Sequence, residues 1–115
     1  MNQVPLEDYV RVGNIIKIID GDTIDVDTDM GCDIRLKQRI RLYGINAPER
    51  REAAGMAAKA FLEQLLAGHT LIVLKTHKNR KEKYGRYLGE IFIPGESVSI
   101  NMQMVNAGHA VEFMV

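Results

Sequence analysis

The chain has 115 residues, which leaves room for one domain with a modest core. Its 15 Lys and Arg balance its 15 Asp and Glu, so no net field draws it onto nucleic acid. The lone cysteine, Cys32, excludes an intrachain disulfide, and no apolar run has the length of a membrane-spanning helix.

Val10 to Ile19 predicts a first strand, with Ile15-Ile16 and Ile18-Ile19 around Lys17. Asp20-Gly21 is a turn signal. Thr23 to Thr28 alternates, with Ile24 and Val26 on one face and Asp25 and Asp27 on the other. Met30-Gly31 predicts the next turn, and Ile34 to Ile45 a third strand that a bulge or bend at Gly44 interrupts. After Pro48, Glu52 to Ala67 reads as the main helix: Ala54, Ala58, Leu62 and Leu66 recur at four-residue spacing, and Gly68 is its stop. Thr70 to Lys75 and Tyr87 to Ile93 predict two more strands, with a basic loop between them. Pro94-Gly95 turns the chain, and Ser97 to Ala107 predicts a second helix ended by Gly108. Three strands, a helix, then two strands is the layout of a small five-stranded Greek-key barrel of the OB type.

The charges are unevenly spread. Residues 20–33 hold six Asp and no Lys or Arg. Residues 75–86 hold Lys75, Lys78, Arg80, Lys81, Lys83 and Arg86 against Glu82 alone. An acidic and a basic cluster in one small domain suit a cation and a polyanion bound side by side. The run Asp25-Val26-Asp27-Thr28-Asp29 begins like an EF-hand loop but has Met30 at the obligatory glycine and Leu36 at the closing glutamate. It reads better as the wet face of a strand. His69, His77 and His109 lack metal-ligand spacing. Cys32 reads as a passive strand or turn residue, since nothing around it suggests an activated thiolate.

The motifs that carry chemistry are Ile19-Asp20-Gly21-Asp22-Thr23, Ile40-Arg41-Leu42, Gly44-Ile45-Asn46-Ala47-Pro48-Glu49, Lys83-Tyr84-Gly85-Arg86 and Val105-Asn106-Ala107-Gly108-His109-Ala110. In this order and spacing, over residues 12–111, the chain resembles the staphylococcal nuclease (thermonuclease) family. The resemblance implies an OB-fold barrel with helices, and a Ca²⁺-dependent phosphodiesterase acting on DNA or RNA to leave 3′-phosphate ends. It implies Asp22, Asn46 and the backbone carbonyl of Ala47 as metal ligands. Asn46 stands where the family usually has Asp, which predicts weaker calcium binding, because ligand charge helps set affinity.

The same resemblance implies Glu49 as the residue that orients or deprotonates the attacking water. Arg41 and Arg86 are implied as phosphate clamps, and Lys83 and Tyr84 as contacts to terminal phosphate or nucleotide. Plainer roles exist: a turn cap for Asp22, a helix-dipole partner for Glu49, an exposed strand cation for Arg41. The competing function is a non-catalytic OB-fold module that binds nucleic acid or a protein partner. Little sequence selectivity is expected, since few aromatics stand beside the basic loop. Family members commonly continue into a terminal helix. This chain stops at Val115 on the apolar run Ala110-Val111-Glu112-Phe113-Met114-Val115, expected either to pack as a short strand or to form a subunit contact, making a monomer or a weak dimer. Met1 to Val10 carries no apolar h-region, so no signal peptide is read there and a cytoplasmic setting is the expectation, with secretion of a processed precursor left open.

Overall fold

A computed structural model describes residues 8–49, 51–81 and 86–113, with 8, 9 and 77–81 described by their backbone. Strands β1 (Asp8–Asp20), β2 (Thr23–Gly31) and β3 (Ile34–Leu42) form an antiparallel meander. The doubled isoleucines of β1 have a structural counterpart. Register shifts fall between Ile15 and Lys17 and between Ile18 and Asp20, so each doublet absorbs a bulge that strict alternation would forbid. The second turn lies two residues beyond the predicted Met30-Gly31. Cys32 and Asp33 form it, with φ of 54° and 62°. A two-residue hairpin loop needs this left-handed pair to match the strand twist. Gly31, the stronger turn signal, ends β2 instead.

The third strand is also shorter than its pattern suggests. It stops at Leu42, Gly44 bends the chain at φ 79°, and Ile45–Asn46 forms a separate short β4. Helix α1 (Ala53–Leu66) buries Gly55, Ala58, Leu62 and Leu66 on one stripe. Strand β5 (Leu71–Lys81) runs six residues past the predicted end, and β6 (Tyr87–Phe92) follows. Helix α2 (Ile100–Asn106) starts at the Ser99 cap rather than at Ser97, because the Ser99 hydroxyl accepts the Met102 N–H at 3.1 Å. Strand β7 (Val111–Glu112) pairs with β4, so part of the apolar terminal run is a short strand.

The five long strands close into a barrel in the order β1-β2-β3-β6-β5. Only the β3–β6 pair is parallel, joining Ile40–Leu42 to Tyr87–Gly89. This is the five-stranded, helix-bearing barrel expected of an OB fold. Ile24, Val26, Ile40, Leu42, Ile72, Leu74 and Ile91 fill its interior, and Leu62 and Ile100 plug it from the helices. Each such side chain, fully buried, stabilises the fold by roughly 1.5–3 kcal/mol.

One polar side chain ties the layers together. Asn101 is 2% exposed. Its amide donates to the carbonyls of Tyr43 (2.9 Å) and Gly89 (3.1 Å), and its oxygen accepts the Ile91 N–H (3.1 Å). It thereby joins α2, the end of β3 and β6. Phe61 of α1 stacks on His109 with ring centroids 4.6 Å apart, which ties α1 to the turn that follows α2.

Candidate active site

The site forms where the β1–β2 turn meets the segment after β3. Gly21 and Asp22 make the turn, and Asp20 and Thr23 face each other across it. An Asp20 carboxylate oxygen accepts the Asp22 N–H at 3.4 Å, so Asp20 orders the turn as its sequence context implies. Gly21 is required by packing. A Cβ there would lie 2.8 Å from the Ala58 Cβ and 2.9 Å from the Ala47 Cβ. The turn therefore sits directly on α1 and on the segment that carries Asn46 and Ala47.

Asp22 is 8% exposed and held at three points. Its backbone carbonyl accepts the Leu42 N–H at 2.7 Å. One carboxylate oxygen accepts the Ala47 N–H at 2.9 Å and lies 3.4 Å from the Arg41 guanidinium. The other accepts the Thr23 hydroxyl at 3.1 Å. Burial pushes this carboxyl above its ordinary value, and the neighbouring Asp20 adds to the rise. The Ala47 N–H and Arg41 oppose it without cancelling it. The charged form of Asp22 is thus under-compensated.

Arg41 sits on β3 between Thr23 of β2 and Leu88 of β6. This central position leaves its side chain 13% exposed. It donates to the Asn46 side-chain oxygen at 3.1 Å and to the Leu42 carbonyl at 3.2 Å. Arg86, just before β6, donates to the Thr23 hydroxyl at 3.2 Å. Thr23, 1% exposed, therefore relays between Asp22 and Arg86, a linking role that its place in the Asp-Gly-Asp-Thr motif does not reveal.

Contacts thus link Asp22, Asn46, Ala47 and Arg41 directly, and Arg86 through Thr23, from four parts of the chain. Glu49 lies on the coil between β4 and α1 and is exposed. Among the described residues, no hydrogen bond or ion pair ties its carboxylate to the cluster, and its backbone carbonyl accepts the Glu52 N–H at 3.0 Å. Lys83 and Tyr84 lie outside the described residues.

Asp22, Asn46 and the Ala47 carbonyl offer hard oxygen atoms only, the donor type that calcium takes. Among the described residues no three His, Cys, Asp or Glu side chains gather as a metal cluster, so the set carries one carboxylate and leaves coordination positions to water or phosphate. The under-compensated Asp22 carboxylate is what a further cation would relieve. The donors fit such an ion in kind, with low charge.

Comparison with known proteins identifies the family. Residues 39–115 match the family described as staphylococcal nuclease homologue. Over 98 residues the chain is 37% identical to an uncharacterized endonuclease of Escherichia coli O157:H7, covering 85% of this chain and 58% of that protein. It is 36% identical over 109 residues to protein ParB of Escherichia coli, covering 85% and 55%. It is 35% identical over 105 residues to a micrococcal nuclease of Shigella flexneri, covering 85% and 56%. The chain spans little more than half the length of these relatives. With its barrel order and this match, the chain belongs to the staphylococcal nuclease family.

Proposed function

We propose that the chain is a calcium-dependent nuclease that hydrolyses phosphodiester bonds of DNA, RNA or both and leaves 3′-phosphate ends. The observation that supports it most is the placing of Arg41 and Arg86 on either side of the buried Asp22–Thr23 pair. The guanidinium forks of Arg41 and Arg86 suit phosphate oxygens, while the Asp22 carboxylate, with Asp20 close by, is left for a cation. Family membership supports the same reading.

Asp22, Asn46 and the Ala47 carbonyl would hold calcium, which when bound supplies Lewis-acid polarisation of the phosphate. Arg41 would leave the Asn46 oxygen to grip a non-bridging phosphate oxygen, its charge counting most as negative charge builds on phosphorus. Arg86, oriented by Thr23, would clamp from the opposite side and neutralise the departing alkoxide. Glu49, exposed and with no side-chain partner among the described residues, would accept the proton of the attacking water. Lys83 and Tyr84 would contact terminal phosphate or nucleotide.

The alternative, an OB-fold module that binds without cutting, is favoured by the neutral Asn46, already hydrogen-bonded to Arg41. Cleavage of single-stranded DNA with Ca²⁺ or chelator, alongside Glu49→Ala, separates the two. The nuclease reading expects calcium-dependent cutting that falls by about 10²–10⁴ in the variant. No cutting by folded protein at high calcium would sink it.

A further inference from the structure

Beyond the pocket, an open cleft of about 1030 Å³ leads away from Arg86 across the outer side of the barrel. Cavities for drug-sized ligands span roughly 300–1,000 Å³, so this one has room for more than one nucleotide unit. Arg86 and Tyr87 stand at its inner end, and Lys37 and Arg39 of β3 line its wall. Ile16 and Leu36 give it an apolar floor, although they are 50% and 45% exposed.

The charge in the cleft is asymmetric. Among the described lining residues, three cationic side chains, Lys37, Arg39 and Arg86, accompany one carboxylate, Asp25. Asp25 is taken by Arg39 in a two-pronged contact at 2.8 and 3.1 Å, which holds its carboxyl below its ordinary value. Lys37 is left over. Its cross-strand neighbour Asp27 pairs with Arg35 at 3.3 Å, and among the described residues no ion pair engages the Lys37 ammonium. An uncompensated lysine, an apolar floor and a tyrosine ring are what a groove for single-stranded nucleic acid combines: charge for the backbone and flat surface for the bases. Thr23 and Arg86, which join the cleft lining to Asp22, commit its occupant to the strand whose phosphate Arg86 would hold.

Resting on the nuclease reading, we propose that this cleft carries the substrate strand flanking the scissile phosphate, with Lys37 as a positioning residue that contacts a flanking phosphate. Lys37 makes no contact with the reacting atoms. Its effect belongs in strand affinity and its salt dependence.

The test uses Glu49→Ala protein, which is not expected to cut, and a fluorescent 16-residue oligothymidylate in anisotropy titrations at several salt concentrations. Removing one phosphate contact from a single strand lowers the slope of log K against log salt by about 0.7. That drop is expected for added Lys37→Ala, with a further loss of low-salt affinity for Lys37→Glu. Lys59→Ala, which removes the same charge from α1 outside the cleft, should leave the slope where it was. An unchanged slope in both Lys37 variants overturns the cleft assignment, while calcium-dependent cutting by the Glu49-bearing chain keeps the nuclease. The expected slope change in a chain that never cuts would keep the cleft and remove the nuclease. Absence of strand binding at low salt overturns the cleft outright.

Discussion

Gly21→Ala puts a single methyl group between the β1–β2 turn and helix α1. The new Cβ would lie 2.8 Å from the Ala58 Cβ and 2.9 Å from the Ala47 Cβ, each half an ångström or more inside the 3.4 Å at which ordinary contact begins. The Ala58 backbone carbon, at 3.4 Å, blocks retreat along the helix. Neither neighbour has a rotamer to turn away, so backbone must move. Overpacking of this kind costs about 1–3 kcal/mol. Part of the movement falls on Ala47, whose N–H holds the Asp22 carboxylate at 2.9 Å. A shift of half an ångström stretches that bond past the usual 3.2 Å limit.

Misplacing a reacting group by about 1 Å costs about 10²-fold in rate, so a shift of half that size should lower the rate of the folded protein about tenfold. Urea denaturation at unchanged m-value gives the stability loss, and cleavage kinetics give the rate. Ala58→Gly alone should cost about 1 kcal/mol in helix propensity. In the Gly21→Ala/Ala58→Gly pair, part of the stability loss should return as positive coupling. Stability within about 0.5 kcal/mol of the parent for Gly21→Ala, or strict additivity in the pair, would refute the seat on α1.

Three other perturbations test separate parts of the molecule. Asp22 has its folded-state pKa raised by burial, so its stabilising contribution is fully present below the unfolded value and is lost as pH rises through the folded one. Asp22→Asn should therefore raise Tm at neutral pH in chelator and flatten its acid-side pH dependence, while abolishing calcium binding. A lower Tm at pH 7 would count against this. Asn46→Asp adds a carboxylate beside Arg41 and should tighten calcium binding in calorimetry; unchanged affinity would speak against Asn46 as a ligand. Asn101→Ala strands the Ile91 N–H and the Tyr43 carbonyl, at about 1–3 kcal/mol for each buried group, while the Gly89 carbonyl keeps the Tyr43 N–H at 2.8 Å. Urea denaturation should show a loss of at least about 2 kcal/mol, and a loss under about 1 kcal/mol would show that water replaces the amide.

Local pattern determined much of this protein. The alternation of Ile24 and Val26 against Asp25 and Asp27 set the faces of β2, because a strand's side chains alternate whatever surrounds it. The four-residue spacing of Ala54 to Leu66 marked the buried stripe of α1, although Gly55 rather than Ala54 lies at its start. Motif order picked out Asp22, Asn46, Ala47, Arg41 and Arg86, five residues that the fold links by contacts, Arg86 through Thr23.

Other features depended on contacts between distant segments. The hairpin turned at Cys32-Asp33 because strand twist, rather than the nearest glycine, selects the left-handed pair. Thr23 became a relay only when β6 brought Arg86 beside it, and Asn101 became a three-way tie only when α2 reached the ends of β3 and β6. Asp22 became a strained carboxylate only through burial, which depends on the Ala58 and Ala47 methyl groups packing around Gly21. Periodicity records which way each residue faces. What meets across the barrel mouth is decided by closure of the barrel, and the energetics of this site reside there.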